Sequence, residues 1–160
     1  MATKKSTHIT GVVPMPSAMG KETIHVYESL SLSVTDIAIN NIIQYFTLPA
    51  GCLPVNYRFT MTDMDVGASP VLAADFGILT TAGTAVSSAT ADGGKWLTAT
   101  AALGVTAVLV TSDASLAAWN AIHGVTVSTV DRTVGFVITT AAQTAAAGTL
   151  ALEFAYKSQN

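Results

Sequence analysis

The sequence predicts an all-β fold: an antiparallel β-sandwich or jelly-roll-like barrel of about eight strands, preceded by an extended N-terminal arm. Three observations carry that expectation. Apolar and polar residues alternate with period two in several stretches, turn signals recur between them, and helical periodicity is scarce. At 160 residues the chain has the length of one domain. Residues 1–20 read as the arm, and residues 21–160 as a single sandwich domain.

The arm carries Lys4 and Lys5 and then GVVPMPSAMG, whose prolines and glycines argue against a helix or a central strand. It is either a loose terminus or a segment that reaches a neighbouring subunit. From Thr23 the pattern changes. Ile24, Val26, Leu30, Leu32 and Val34 alternate with polar residues, the mark of a half-buried strand. Glu28 interrupts the apolar row, which points to a bulge or an interface. Asn40-Asn41 signals a turn, and Ile42 to Leu48 forms a second strand, apolar on both faces. LPAGCLP makes a corner. Val55, Tyr57, Phe59 and Met61 then alternate with Asn56, Arg58, Thr60 and Thr62. DMDVGASP is a loop, after which Leu72, Ala74, Phe76 and Ile78 face inward.

The middle is less regular. TAGTAVSSATADGG is a small-residue loop, and GKWLTATAAL reads as one short helix. Val105 to Val110 is a β-branched run and therefore a strand. Ser112 or Asp113 caps a helical turn over ASLAAWNAI, which Gly124 ends. Val125 to Val130 reads as a strand. Val134, Phe136 and Ile138 alternate again, as do Leu150, Leu152, Phe154 and Tyr156. Between these last two strands lies TAAQTAAAG. Their outward residues, Gly135, Val137, Ala151 and Ala155, predict a face of small apolar side chains suited to close packing with other protein.

Composition narrows the function classes. Hydrophobic residues make up 50% of the chain and charged residues only 11%, against roughly a quarter in an average soluble domain. That is not a disordered composition. Apolar runs are broken before the roughly 20 residues of a spanning helix. Net charge is -3, with no basic patch beyond Lys4 and Lys5, so nucleic acid is not an expected partner. The N-terminus lacks the apolar core of a secretory signal. Cys52 is the single cysteine and has no internal disulfide partner. The chain thus reads as made in a reducing cytoplasm, with a charge-poor surface that other protein covers.

No constellation for catalysis stands out, and no enzyme, cofactor or metal is expected. His8, His25 and His123 show no HxH or HExxH spacing. Cys52 has no local base. Asp63-Met64-Asp65-Val66-Gly67 opens like a calcium loop but lacks its later bidentate Glu, and Asp and Gly also dominate ordinary turns, so the sequence leaves calcium at Asp63 and Asp65 open. Gly93-Gly94 before Lys95 is too little for a phosphate site. Asp131-Arg132 suits an ion pair or a turn. Arg58 is a candidate intersubunit contact, or a plain surface arginine. Trp96 and Trp119 suit binding anchors, sugar-stacking platforms or plugs at the ends of the sandwich.

Two stretches carry a resemblance: the Asp-Arg-x-Val strand start followed by ITTAAQTAAAGTLALEFAY, and the corner LPAGCLPVNYRFTMTDMDVGASPVLAADFGIL. In texture and element order they resemble the capsid decoration proteins of tailed bacteriophages, also called cement or head-stabilising proteins. The resemblance covers roughly residues 22 to 160 and rests on no invariant motif. It implies a β-sandwich or jelly roll that forms a homotrimer on the outside of the capsid, with the major capsid protein as partner and an N-terminal arm that clamps neighbouring subunits. The candidate interface residues are Lys4, Lys5, Val12, Val13, Met15, Arg58, Trp96 and Trp119. The alternative is a phage tail or fibre domain, or a carbohydrate-binding module.

Overall fold

The computed structural model describes residues 1–16, 22–100, 109–111 and 115–159. Among them lie nine strands and one helix: β1 (Thr3–Lys5), β2 (Thr23–Leu32), β3 (Ile42–Leu48), β4 (Cys52–Met61), β5 (Ala73–Ile78), β6 (Lys95–Thr100), β7 (Leu109–Thr111), α1 (Leu116–His123), β8 (Arg132–Thr140) and β9 (Gly148–Ser158). They form two sheets, one ordered β1-β3-β8-β5-β6 and the other β2-β9-β4-β7.

Apart from β1, the strands pair from the outside of the chain inward. β2 pairs with β9, β3 with β8, β4 with β7 and β5 with β6, all antiparallel. This is one long hairpin rolled up so that its successive pairs alternate between two sheets. That connectivity is a jelly roll, and it resolves the choice between a plain sandwich and a rolled one.

The core lies between the sheets and is rich in aromatic rings. Tyr45, Phe46, Tyr57, Phe59, Phe76, Trp96, Phe136, Phe154 and Tyr156 are all fully buried. Phe76 stacks on Phe136 at 4.4 Å, and Phe59 meets the same ring edge-on at 5.2 Å. Such pairs each add about 0.5–1.5 kcal/mol beyond the area they bury. β2 keeps strict alternation, and its register with β9 is unbroken from Thr23 to Leu32. Glu28 therefore marks no bulge; it points inward with Val26 and Leu30.

Several expectations are corrected. Lys95–Thr100 is a strand, not a helix, and lies antiparallel to β5. Burying Trp96 and pairing with β5 outweigh the helix preference of the alanines that follow. Of Val105 to Val110, only Leu109 and Val110 are described, and they belong to β7. α1 is capped by Ser115, whose Oγ accepts the Ala118 N–H at 3.1 Å, while Ser112 and Asp113 lie outside the described residues. The helix ends at Gly124, as expected. Val125 to Val130 is not a strand. Val125 makes one isolated bridge to Asp92, and Ser128 Oγ then accepts the Val130 N–H at 3.1 Å and closes a turn.

The small outward face is also absent. In β9, Ala151 and Ala155 lie in the outward row but are buried. They sit between longer neighbours, Ser29 and Thr60 beside Ala151 and His25 and Asn56 beside Ala155. On the other sheet, Ile42, Leu79, Val86 and Val137 form a second small cluster on the outer side. Gly135 is buried there, and a Cβ added to it would lie 2.4 Å from the Ile43 carbonyl oxygen. Only glycine fits such a close backbone approach.

The N-terminal segment is extended at β1 but lies on its own chain. β1 runs parallel to β3, with Thr3, Lys4 and Lys5 opposite Ile42, Ile43 and Gln44. The chain then crosses the open side of the roll from β3 toward β2, where Ser6 is buried. Met15 packs against the main core. Among the described residues no helix is long and apolar enough to cross a membrane.

Candidate interaction surface

The terminal segment is held chiefly by polar contacts. Glu28, inward-facing on β2, accepts the Thr7 N–H at 2.7 Å, the Thr7 hydroxyl at 2.8 Å and the His8 N–H at 3.5 Å. Burial alone raises the Glu28 carboxyl, but these donors and the Ser6 hydroxyl outweigh it and hold the group below its ordinary value. The buried Glu that interrupts the β2 pattern is thus explained by the terminal segment. Lys4 pairs with Asp36 at 3.5 Å. The Tyr156 hydroxyl donates to the Pro16 carbonyl. Beyond these anchors Lys5 is exposed, and so are Val12 and Val13, at 74% and 42%.

The outer face of the β2-β9-β4-β7 sheet is polar. Glu153 in β9 sits between Tyr27 and Arg58 across the sheet. Its carboxylate lies 3.5 Å from Arg58 Nε and 3.3 Å from His25 Nδ1. Arg58 is thus a paired surface arginine, and such exposed pairs contribute about 0–1 kcal/mol. Tyr27 is 65% exposed beside them.

The two tryptophans separate. Trp119 is exposed on α1 and stacks on His123 one turn later, with ring centroids 3.9 Å apart. Trp96 is withdrawn from the interface set. It is 1% exposed, stacks between Tyr57 and Phe154, and donates its indole N–H to the Asp92 carbonyl at 3.0 Å. With Trp96 in the core, paired tryptophan platforms for a sugar do not exist on this surface. His25 and His123 do not meet, since each engages its own neighbour.

The calcium-like loop has a different chemistry. Asp65 is fully buried. Its carboxylate accepts the backbone N–H groups of Val71 (2.7 Å), Leu72 (3.1 Å), Gln143 (3.0 Å) and Thr144 (2.9 Å). Burial raises the carboxyl, but the Thr144, Val71, Gln143 and Leu72 donors outweigh it and hold Asp65 far below the usual carboxylate range. Both oxygens are committed to the protein's own backbone. Among the described residues no group of three or more His, Cys, Asp or Glu is placed to hold a metal ion. Asp65 instead ties the loop after β4 to TAAQTAAAG, with a bridge to Ala145. An Asp in a turn does not signal this tie, because the two partners that make it, Gln143 and Thr144, lie 78 and 79 residues away.

At the opposite end, Arg132 joins two loops and its neighbour Asp131 holds a third. It pairs with Asp92 at 3.1 Å and donates to the Thr126 carbonyl at 3.0 Å, while Asp131 accepts the Ala50 N–H at 2.8 Å. A cavity of about 680 Å³ opens beside them, lined by Leu79, Ser87, Asp92, Asp131 and Arg132. Cys52 is buried and its thiol is pushed up by burial and then by Asp131, so it is a packing residue rather than a nucleophile.

No protein-family model matches the chain, and no curated protein is similar to it in sequence. Solved structures are similar in fold. A chain in the capsid of Ralstonia phage GP4 superposes with a TM-score of 0.80 and 22% identity over 99% of both chains. A chain of the cyanophage Pam1 capsid asymmetric unit matches with a TM-score of 0.58 and 16% identity over 90% of each chain. At these identities the likeness is one of fold: this jelly roll, over nearly its whole length, is the shape of chains found in two phage capsids.

Proposed function

We propose that this chain is a structural protein of the tailed-phage virion, a decoration or cement protein that binds the outside of an assembled head as a homotrimer. The observation that carries the reading is the fold likeness to a phage capsid chain across 99% of both chains. A jelly roll alone serves many functions, so the charge-poor composition adds needed support: charged residues are 11% of the chain, and charge is depleted in interface cores. The protein is made in the host cytoplasm and ends on the virion exterior, with the major capsid protein as partner.

The mechanism is linkage. A protein that binds the assembled lattice and not its separated subunits stabilises the lattice in proportion to the logarithm of its occupancy ratio. The interface set is Lys4, Lys5, Val12, Val13 and Met15 along the terminal segment, with Arg58 and Trp119 on the body. Fully burying an exposed valine contributes about 1.5–3 kcal/mol at most, so Val12, at 74% exposure, has more to gain on contact than Val13 at 42%. The test is the solution mass of the purified protein by light scattering, followed by co-sedimentation with phage heads that lack it. A trimer that co-sediments supports the reading. A monomer that stays in the supernatant overturns it.

A further inference from the structure

We infer that residues 1–16 form a separable strap, fastened to the jelly roll by the carboxylates of Glu28 and Asp36 and released when they are protonated, while the roll stays folded. The inference stands apart from the proposed function and rests on three observations.

First, the roll is complete without the strap. The four nested pairs use β2 to β9, and β1 is an extra edge strand of three residues, the one parallel pairing among the described strands. Secondly, the strap's fastenings to the body converge on acids. Glu28 takes three donors from Thr7 and His8 at 2.7–3.5 Å, and Asp36 faces Lys4 at 3.5 Å. The remaining ties are the three-residue β1–β3 ladder with flanking backbone bonds at Ala2 and Ser6, an Ala2 N–H donated to Asn41 Oδ1, single hydroxyl contacts at Ser6 and Tyr156, the His8 ring against Phe46, and Met15 packed on the core. Thirdly, the body's own carboxylate staple, Asp65, is fully buried and takes its backbone donors from two loops of the roll, none of them from the strap.

The groups that face Glu28 are His8, whose Nε2 lies 3.9 Å away, and Tyr45 of β3, which burial and then the Glu28 charge push up. Asp36 faces Lys4 and the Ser33 N–H and hydroxyl. Both fasteners sit below their ordinary values, despite burial, because of these donors. Their hold is therefore complete above the ordinary carboxylate range and is lost as pH falls through and beneath it. Release uncovers the Ile42–Gln44 edge of β3 and the Phe46 ring, on which His8 now packs at 5.1 Å. An open strand edge is a template for pairing with another chain, so the strap controls whether that edge is available.

Hydrogen–deuterium exchange on the full chain, corrected for intrinsic rates, tests this between pH 7 and about pH 3. The expected result is that amides of residues 3–10 lose protection by at least about tenfold in acid, while those of β8 and β9 keep theirs. The double variant Glu28→Gln, Asp36→Asn should show the same selective loss at pH 7. If the terminal amides open only together with β8 and β9, or stay protected throughout the series, the inference is wrong. A folded double variant with full terminal protection also overturns it. Should that variant not fold, the pH series on the unsubstituted chain still decides.

Discussion

Asp65 and Trp96 stand where local sequence reasoning and three-dimensional packing part company. Both were candidates for binding, and both turn out to hold the molecule together. Truncating a buried tryptophan typically costs about 3–5 kcal/mol, whereas an exposed side chain outside special contacts changes stability by about 0.5 kcal/mol or less. Trp96→Ala should therefore lower the denaturation midpoint sharply, and Trp119→Ala should leave it nearly unchanged; urea titration of both compares them directly. Asp65 has a folded pKa far below its unfolded one. Its contribution is fully present above the unfolded value of about 3.9 and is lost as pH falls from there toward the folded value. Asp65→Asn should accordingly melt lower than the unsubstituted chain at neutral pH, with a gap that stays constant to about pH 5 and narrows below it. Thermal melts across that range check the sign. Gly135 belongs with these residues: nothing in its local sequence announces that a Cβ would strike the Ile43 oxygen.

The strands with clean alternation were legible, because one face of each meets the core and the other meets water. β2 and β4 are the clearest, with alternating burial over Val26–Leu32 and Tyr57–Met61 that follows the apolar residues except at Glu28. The errors fall where neighbours override local preference. β6 follows the needs of Trp96 rather than a local helix preference, and the 125–130 run turns at Ser128 despite its valines. α1 was placed within two residues of its start, and its cap is testable. Ser115→Ala removes the acceptor for the Ala118 N–H and should cost about 1 kcal/mol, read as a shift in the denaturation midpoint with an unchanged slope. The terminal segment is a further test. Deleting residues 1–20 should leave a folded roll whose far-ultraviolet circular dichroism retains its β signature. On the proposed function, the same deletion weakens attachment to heads, measured by co-sedimentation. A collapsed melting temperature would instead make the segment integral to the core.

The architecture as a whole joins strands far apart in sequence. β2 pairs with β9, so that Thr23 lies opposite Lys157. Loop closure of this kind must precede the contacts that reward it, which makes such folds slow. Refolding from urea, followed by the fluorescence of the buried Trp96, is expected to take milliseconds to seconds or longer. A microsecond phase carrying the full amplitude would contradict the nested pairing. The same rolling orders one end of the molecule. It places TAAQTAAAG beside the loop after β4, where Asp65 secures it, so that the blandest stretch of the chain becomes an ordered end of the molecule. The division of labour is physical. Alternation and turn chemistry act between near neighbours, so the chain alone announces an all-β sandwich, its main strands and its poverty of charge. Sheet order, the burial of Ala151, Ala155 and Trp96, the role of Asp65 and the docking of the terminal segment on Glu28 depend on contacts between distant residues, which exist only once the roll has closed.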